Sequence, residues 1–201
     1  MKTRILGFII VFISFSTMIF ALDDGIRVPS NLNKIDDLDR NIEMYHTARG
    51  VDTSNSVWGY IIFTNVYYRN NPKSCWFVFD FNSDSSDANA GLNSVIFHGK
   101  SESNRVVLNL ASATDRENLF TDSDATIHLR KLKYIVRKQY RLSDNEIDSL
   151  IKLIEDNKFK INVRFVSRNN NYYALNKKDF NKSQTKALYD LLKFYKDIRN
   201  K

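Results

Sequence analysis

An α+β fold is predicted by three features of the chain: successive short aromatic and β-branched runs, two capped amphipathic helices near the end, and no βαβ alternation. The expected architecture is a largely antiparallel sheet of about six to eight strands, with an N-terminal helix and two C-terminal helices packed on it. With 43% hydrophobic and 13% aromatic residues, the composition is rich enough for a core and excludes a disordered chain.

Residues 1–21 read as a cleaved export signal. Lys2 and Arg4 precede Ile5 to Phe20, a run without charge that ends at the small residue Ala21. A spanning helix needs roughly 20 apolar residues, and Ser14, Ser16 and Thr17 interrupt this run. Ile19 and Phe20 fit the cleavage pattern poorly, which leaves an uncleaved anchor as the competing reading. Lipid attachment by a cysteine just after the run is excluded, because the one cysteine is Cys75. One cysteine also allows no internal disulfide, ordinary for a bacterial envelope protein and unusual for a small eukaryotic secreted domain. Residues 22–201 are then expected to form one α+β domain, with a division near 125 between a β-rich half and a basic half. Residues 1–125 hold 11 Lys and Arg against 15 Asp and Glu, whereas residues 126–201 hold 19 against 8.

From Asn31 to Arg49, Ile35, Leu38, Ile42 and Tyr45 recur at helical spacing before Gly50, which predicts an amphipathic helix. Val57 to Tyr68 and Cys75 to Phe81 read as strands of one hairpin around Asn70, Asn71 and Pro72. Ser94 to His98 and Arg105 to Leu110 read as a second hairpin. Thr126 to Tyr140 fits either a strand or a basic helix.

Ser143 and Glu146 have capping-box spacing, and Leu142 and Ile147 occupy the positions of a hydrophobic staple. Ile147, Leu150, Ile151 and Ile154 line the buried face of the helix that starts there. A hairpin of Ile161 to Val166 and Tyr172 to Leu175 follows, then a helix from Asn181 to Arg199. Shifting the chain by 38 residues superposes the two helix starts and brings Tyr134 onto Tyr172, which suggests tandem ββα units.

No recognisable chemical motif accompanies these elements. His46, His98 and His128 stand outside any nucleophile or zinc pattern, and six glycines include no phosphate loop. Asp80, Asn82, Asp84 and Asp87 alternate like calcium ligands, but Ser85 stands where the turning glycine is needed and Gly91 where the closing Glu belongs. No catalytic residue, cofactor or metal is therefore assigned. Most of the aromatic residues in 58–81 are expected in the core. The candidate binding surface is Tyr172, Tyr173, Arg168, Lys177 and Lys178, where aromatic and basic side chains flank an Asn-rich turn.

These features imply an exported, periplasmic or secreted bacterial protein that acts as a non-enzymatic binding or assembly module on an envelope or extracellular partner. An envelope hydrolase is the alternative. A third reading is weak contact of the basic half with an anionic membrane or polyanion, without a specific nucleic-acid motif. N-terminal sequencing of the exported protein tests the signal: the mature chain is expected to begin near Leu22. A chain that retains Met1 and stays with the membrane after a high-salt wash would make the segment an anchor.

Overall fold

The computed structural model describes residues 27–37, 42–48, 55–63, 74–83, 91–110, 134–175, 177 and 180–200. Among these residues the protein is a mixed α+β structure with two antiparallel sheets and two helices. None of these helices is long and apolar enough to cross a membrane. Residues 1–21, expected as an export signal, and the loop carrying Asp84 and Asp87 lie outside the described residues.

The first sheet contains β1 (Asn33–Asp37), β2 (Ile42–His46), β3 (Ser56–Phe63), β4 (Ser74–Ser83) and β7 (Tyr134–Arg141), in the order β1-β2-β3-β4-β7. The second contains β5 (Leu92–His98), β6 (Arg105–Asn109), β8 (Asn162–Ser167) and β9 (Tyr172–Ala174), in the order β6-β5-β8-β9. Helix α1 is Asp144–Asp156 and α2 is Lys182–Arg199. The expected β3–β4, β5–β6 and β8–β9 hairpins all pair antiparallel.

The expected N-terminal helix is replaced by the β1–β2 pair. Tertiary pairing outweighs local periodicity here: β2 adds to the edge of β3 with Tyr45 opposite Ile61. A strand turns alternate residues to the same side, so Glu43 and Tyr45 point into the core while Ile35, expected on a buried helix face, is 45% exposed. The buried Glu43 carboxylate accepts a hydrogen bond from the Tyr45 hydroxyl and lies 3.2 Å from Lys34 Nζ. These partners offset the cost of burying a charge.

The inner face of the first sheet is set by the alternation of β4, whose Phe77, Phe79 and Phe81 share one side and are almost fully buried. Phe77 and Phe79 meet Phe97 of β5 at centroid distances of 5.9 and 6.5 Å, and Phe79 and Phe81 meet Phe165 of β8 at 6.2 and 5.8 Å. The two sheets therefore share one core at β4.

Helix α2 covers β3, where the absence of a side chain at Gly59 admits Leu191. A Cβ at Gly59 would come within 2.6 Å of Leu191 Cδ2 and 2.9 Å of Phe77 Cδ1. Phe194 of the same helix meets Tyr45 edge-on at 5.2 Å.

Both helices begin with a capping box, Ser143 with Glu146 in α1 and Asn181 with Gln184 in α2. Leu142 and Ile147 of the staple are buried, as are Leu150, Ile151 and Ile154. The region left open between strand and basic helix contains β7, which pairs along β4 from Arg141 opposite Trp76 to Tyr134 opposite Ser83. The tandem ββα expectation is not reproduced in the pairing. The strand before α1 lies in the first sheet, whereas the hairpin before α2 lies in the second; residues 126–133 are outside the described set. Pairing of β4 with β7 and of β5 with β8 joins chain segments from both sides of residue 125.

Three substitutions test this packing by denaturant melts. Ser143→Ala is expected to cost about 1 kcal/mol through the lost cap, and Leu150→Ala about 2–5 kcal/mol through a core cavity. Gly59→Ala is expected to cost about 1–3 kcal/mol by overpacking against Leu191 and Phe77. A harmless Leu150→Ala or Gly59→Ala would contradict the placement of α1 or α2.

Candidate functional site

The side chains of β5 alternate, so Val95 and Phe97 enter the core while Ile96 and His98 face outward. Cross-strand register then sets Arg164 of β8 beside Ile96, and Arg105 of β6 beside His98. Tyr172 of β9 stands opposite Val166, farther along β8. Together with Glu102 from the β5–β6 turn, these residues line a recess of about 260 Å³ on the outer face of the second sheet.

His98 is only 6% exposed despite facing outward. Its Nδ1 lies 2.8 Å from the Gly99 carbonyl oxygen. A carbonyl can only accept, so Nδ1 carries the proton and donates, and in the neutral ring Nε2 is left as an acceptor. That Nε2 is buried and has no hydrogen-bond partner among the described residues. The Gly99 position is itself constrained: a Cβ there would fall 1.9 Å from Oδ1 of Asn157, the C-cap of α1. Helix α1 thus abuts the turn that orients His98.

The rest of the recess is charged and aromatic. Arg164 forms an ion pair with Glu102, while Arg105 is exposed with no side-chain partner among the described residues. Tyr172 is 63% exposed, an unusual position for a large aromatic ring. The arrangement offers two guanidinium groups, one buried acceptor and one accessible ring face.

The residues singled out from the sequence are divided by the structure. Tyr172 lines the recess, but Tyr173 points to the opposite side of β9 and packs on Phe81 with centroids 5.2 Å apart. Arg168 is exposed at the far end of β8, its backbone N–H donating to the Gly91 carbonyl at 3.0 Å. Lys177 is exposed after β9, and Lys178 lies outside the described residues. Ile96, Glu102, Arg105 and Arg164 were not singled out. The expected β5–β6 hairpin already sets Arg105 beside His98 with Glu102 in its turn, whereas Arg164 joins them only through the β5–β8 pairing, which no local pattern encodes.

Other candidates are occupied elsewhere. Asp80 is buried and accepts from Ser56 Oγ at 3.0 Å and Trp58 Nε1 at 3.3 Å. The Asn82 side chain, Asp84, Asp87 and His128 are outside the described set. The outer face of the first sheet carries Trp58, Tyr60 and Trp76, with Tyr60 and Trp76 stacked at 6.3 Å. His46 Nδ1 lies 2.9 Å from the Thr47 carbonyl oxygen, and its ring meets Trp58 edge-on. On α2, Lys186, Lys196 and Arg199 are ion-paired with Asp190, Asp148 and Asp144.

Comparison with protein-family models, curated proteins and solved structures found no match to this chain.

Cys75 is fully buried, and burial pushes its thiol well above the usual range. Burial, with a smaller contribution from Cys75, also pushes the Tyr60 phenol up to about 12. The native protein is therefore expected to be silent to a thiol reagent at about pH 8 and to titrate one thiol after unfolding. Both groups hold their protons to higher pH when folded than when unfolded, so stability should fall as pH rises above about 8.5. Rapid labelling of the native protein, or stability rising in that range, would contradict this placement.

Proposed function

We propose that the chain is an exported, non-catalytic binding protein of a bacterial envelope, and that its ligand face is the outer surface of the second sheet. The observation that carries the reading is the recess itself. It gathers Arg105, Arg164, Tyr172 and the unpartnered Nε2 of His98 on one face of a rigid sheet. Convergent polar groups in a concavity are the usual signature of a ligand site. A hydrolase of the Ser, Thr or Cys type would need that nucleophile beside a base, and the described residues lining the recess include a histidine and a carboxylate but none of those three. Ion pairs hold three of the five cations of α2, Lys186, Lys196 and Arg199, which lessens what this helix offers to an anionic membrane.

Titration of the exported, ¹⁵N-labelled protein with a panel of neutral and acidic saccharides and cell-wall peptides tests this reading. Amide shifts should cluster at Ile96, His98, Arg105, Arg164 and Tyr172, with the ligand recovered unchanged. Conversion of the ligand would establish the hydrolase instead. Shifts confined to α2 that vanish by about 0.5 M salt would establish electrostatic surface attachment.

A further inference from the structure

We propose that the recess takes a carboxylated sugar, its carboxylate held between Arg105 and Arg164, a ring hydroxyl donating to His98 Nε2, and a ring face lying against Tyr172. The inference deepens the reading of this face as a ligand surface and rests on it. Each part of the assignment follows from a separate feature of the site.

The acceptor at His98 decides what kind of group approaches the floor of the recess. The Gly99 carbonyl fixes the proton on Nδ1, so the neutral ring presents a lone pair at Nε2. A buried acceptor without a partner is costly. A hydroxyl satisfies it, whereas a bare carboxylate such as acetate, an acceptor only, does not. Two guanidinium groups within the same recess call for a carboxylate or phosphate, the planar and tetrahedral anions that arginine binds best. The exposed ring of Tyr172 and the side chain of Ile96 supply the apolar contact that the C–H face of a sugar ring uses and a bare anion does not. At about 260 Å³ the recess falls just under the roughly 300–1,000 Å³ of drug-sized sites and has room for one ring.

Glu102 completes the argument, because its carboxylate already occupies Arg164 from the β5–β6 turn. It stands where the ligand carboxylate is proposed to sit. Both members of the pair are substantially exposed, with side chains 34% and 56% accessible for Arg164 and Glu102. An exposed pair of this kind adds little stability, so an incoming carboxylate replaces it at small cost. Release of Glu102 frees the Arg164 guanidinium for the ligand carboxylate.

Calorimetric titration of the exported protein with D-glucuronate, D-glucose, acetate and inorganic phosphate separates the components. Glucuronate is expected to bind, with glucose and acetate each at least about tenfold weaker, since each lacks one half of the recognised pattern. Arg105→Ala and Arg164→Ala are each expected to weaken glucuronate by about tenfold or more, and Tyr172→Ala by several-fold. Glu102→Gln, which removes the competing carboxylate, is expected to strengthen binding. These four side chains are exposed or partly exposed, and circular dichroism checks that the variants fold. Phosphate binding more tightly than glucuronate, glucose binding equally well, or Glu102→Gln weakening the complex would overturn the proposal. If glucuronate leaves the protein unchanged while another member of the saccharide and peptide panel shifts the recess amides, the carboxylated-sugar assignment falls and the binding reading stands. If no member of the panel shifts those amides, both fall.

Discussion

Phe77, Phe79 and Phe81 on one side of β4 join the two sheets, and the placement of the remaining elements depends on that aromatic seam. Strand β4 lies between β3 and β7 in the first sheet, and its three rings interleave with Phe97, Phe165 and Tyr173 of the second. The contacts are tilted or edge-on, the arrangements favoured by the ring quadrupole, each worth about 0.5–1.5 kcal/mol beyond the area it buries. Truncating such a ring costs about 3–5 kcal/mol, a large share of the roughly 5–15 kcal/mol that stabilises a domain. The helices complete the core beside the seam. Strand β7 runs into α1 through Leu142, whose N–H donates to the Cys75 carbonyl of β4 at 3.0 Å. Gly59 lets α2 approach the same sheet directly against Phe77.

With the inner faces committed to packing, the outer faces are where chemistry remains. The outer face of the first sheet is largely satisfied within itself: Asp80 accepts from Ser56 and Trp58, and the Tyr60 hydroxyl donates to Gln139 Oε1 at 3.1 Å. The outer face of the second sheet is less complete. His98 Nε2 has no partner among the described residues, Tyr172 exposes its ring, and Arg164 is held by an accessible carboxylate. Its geometry is nevertheless rigid, since His98 is oriented by Gly99 and Gly99 is pressed against the cap of α1. A rigid frame around unsatisfied groups is what preorganised recognition requires.

How much of this was legible in the sequence depended on how local each determinant is. The caps of α1 and α2 were readable because a capping box spans four residues and involves no distant partner. The three hairpins were readable because turn residues separate alternating runs. The N-terminal segment was misread because Ile35, Leu38, Ile42 and Tyr45 share helical spacing by coincidence, while the determinant is pairing with β3. Of the two tyrosines named together from the sequence, Tyr172 lines the recess while Tyr173 packs on Phe81, because adjacent strand residues face opposite sides. Arg105, His98 and Arg164 converge only once β5 pairs with both β6 and β8, and Arg164 is 66 positions beyond His98 in the chain. Neither composition nor periodicity carries that information.

Strand β4 packs its phenylalanines against the second sheet, and that contact turns Ile96 and His98 outward and so creates the recess. Nuclear Overhauser contacts between selectively labelled phenylalanine rings of the native protein test it most directly. Contacts are expected from Phe79 to both Phe97 and Phe165, together with the antiparallel contacts between β3 and β4. If the β3–β4 contacts are present and those from Phe79 to Phe97 and Phe165 are absent, the sheets do not share this core and the recess is not formed this way.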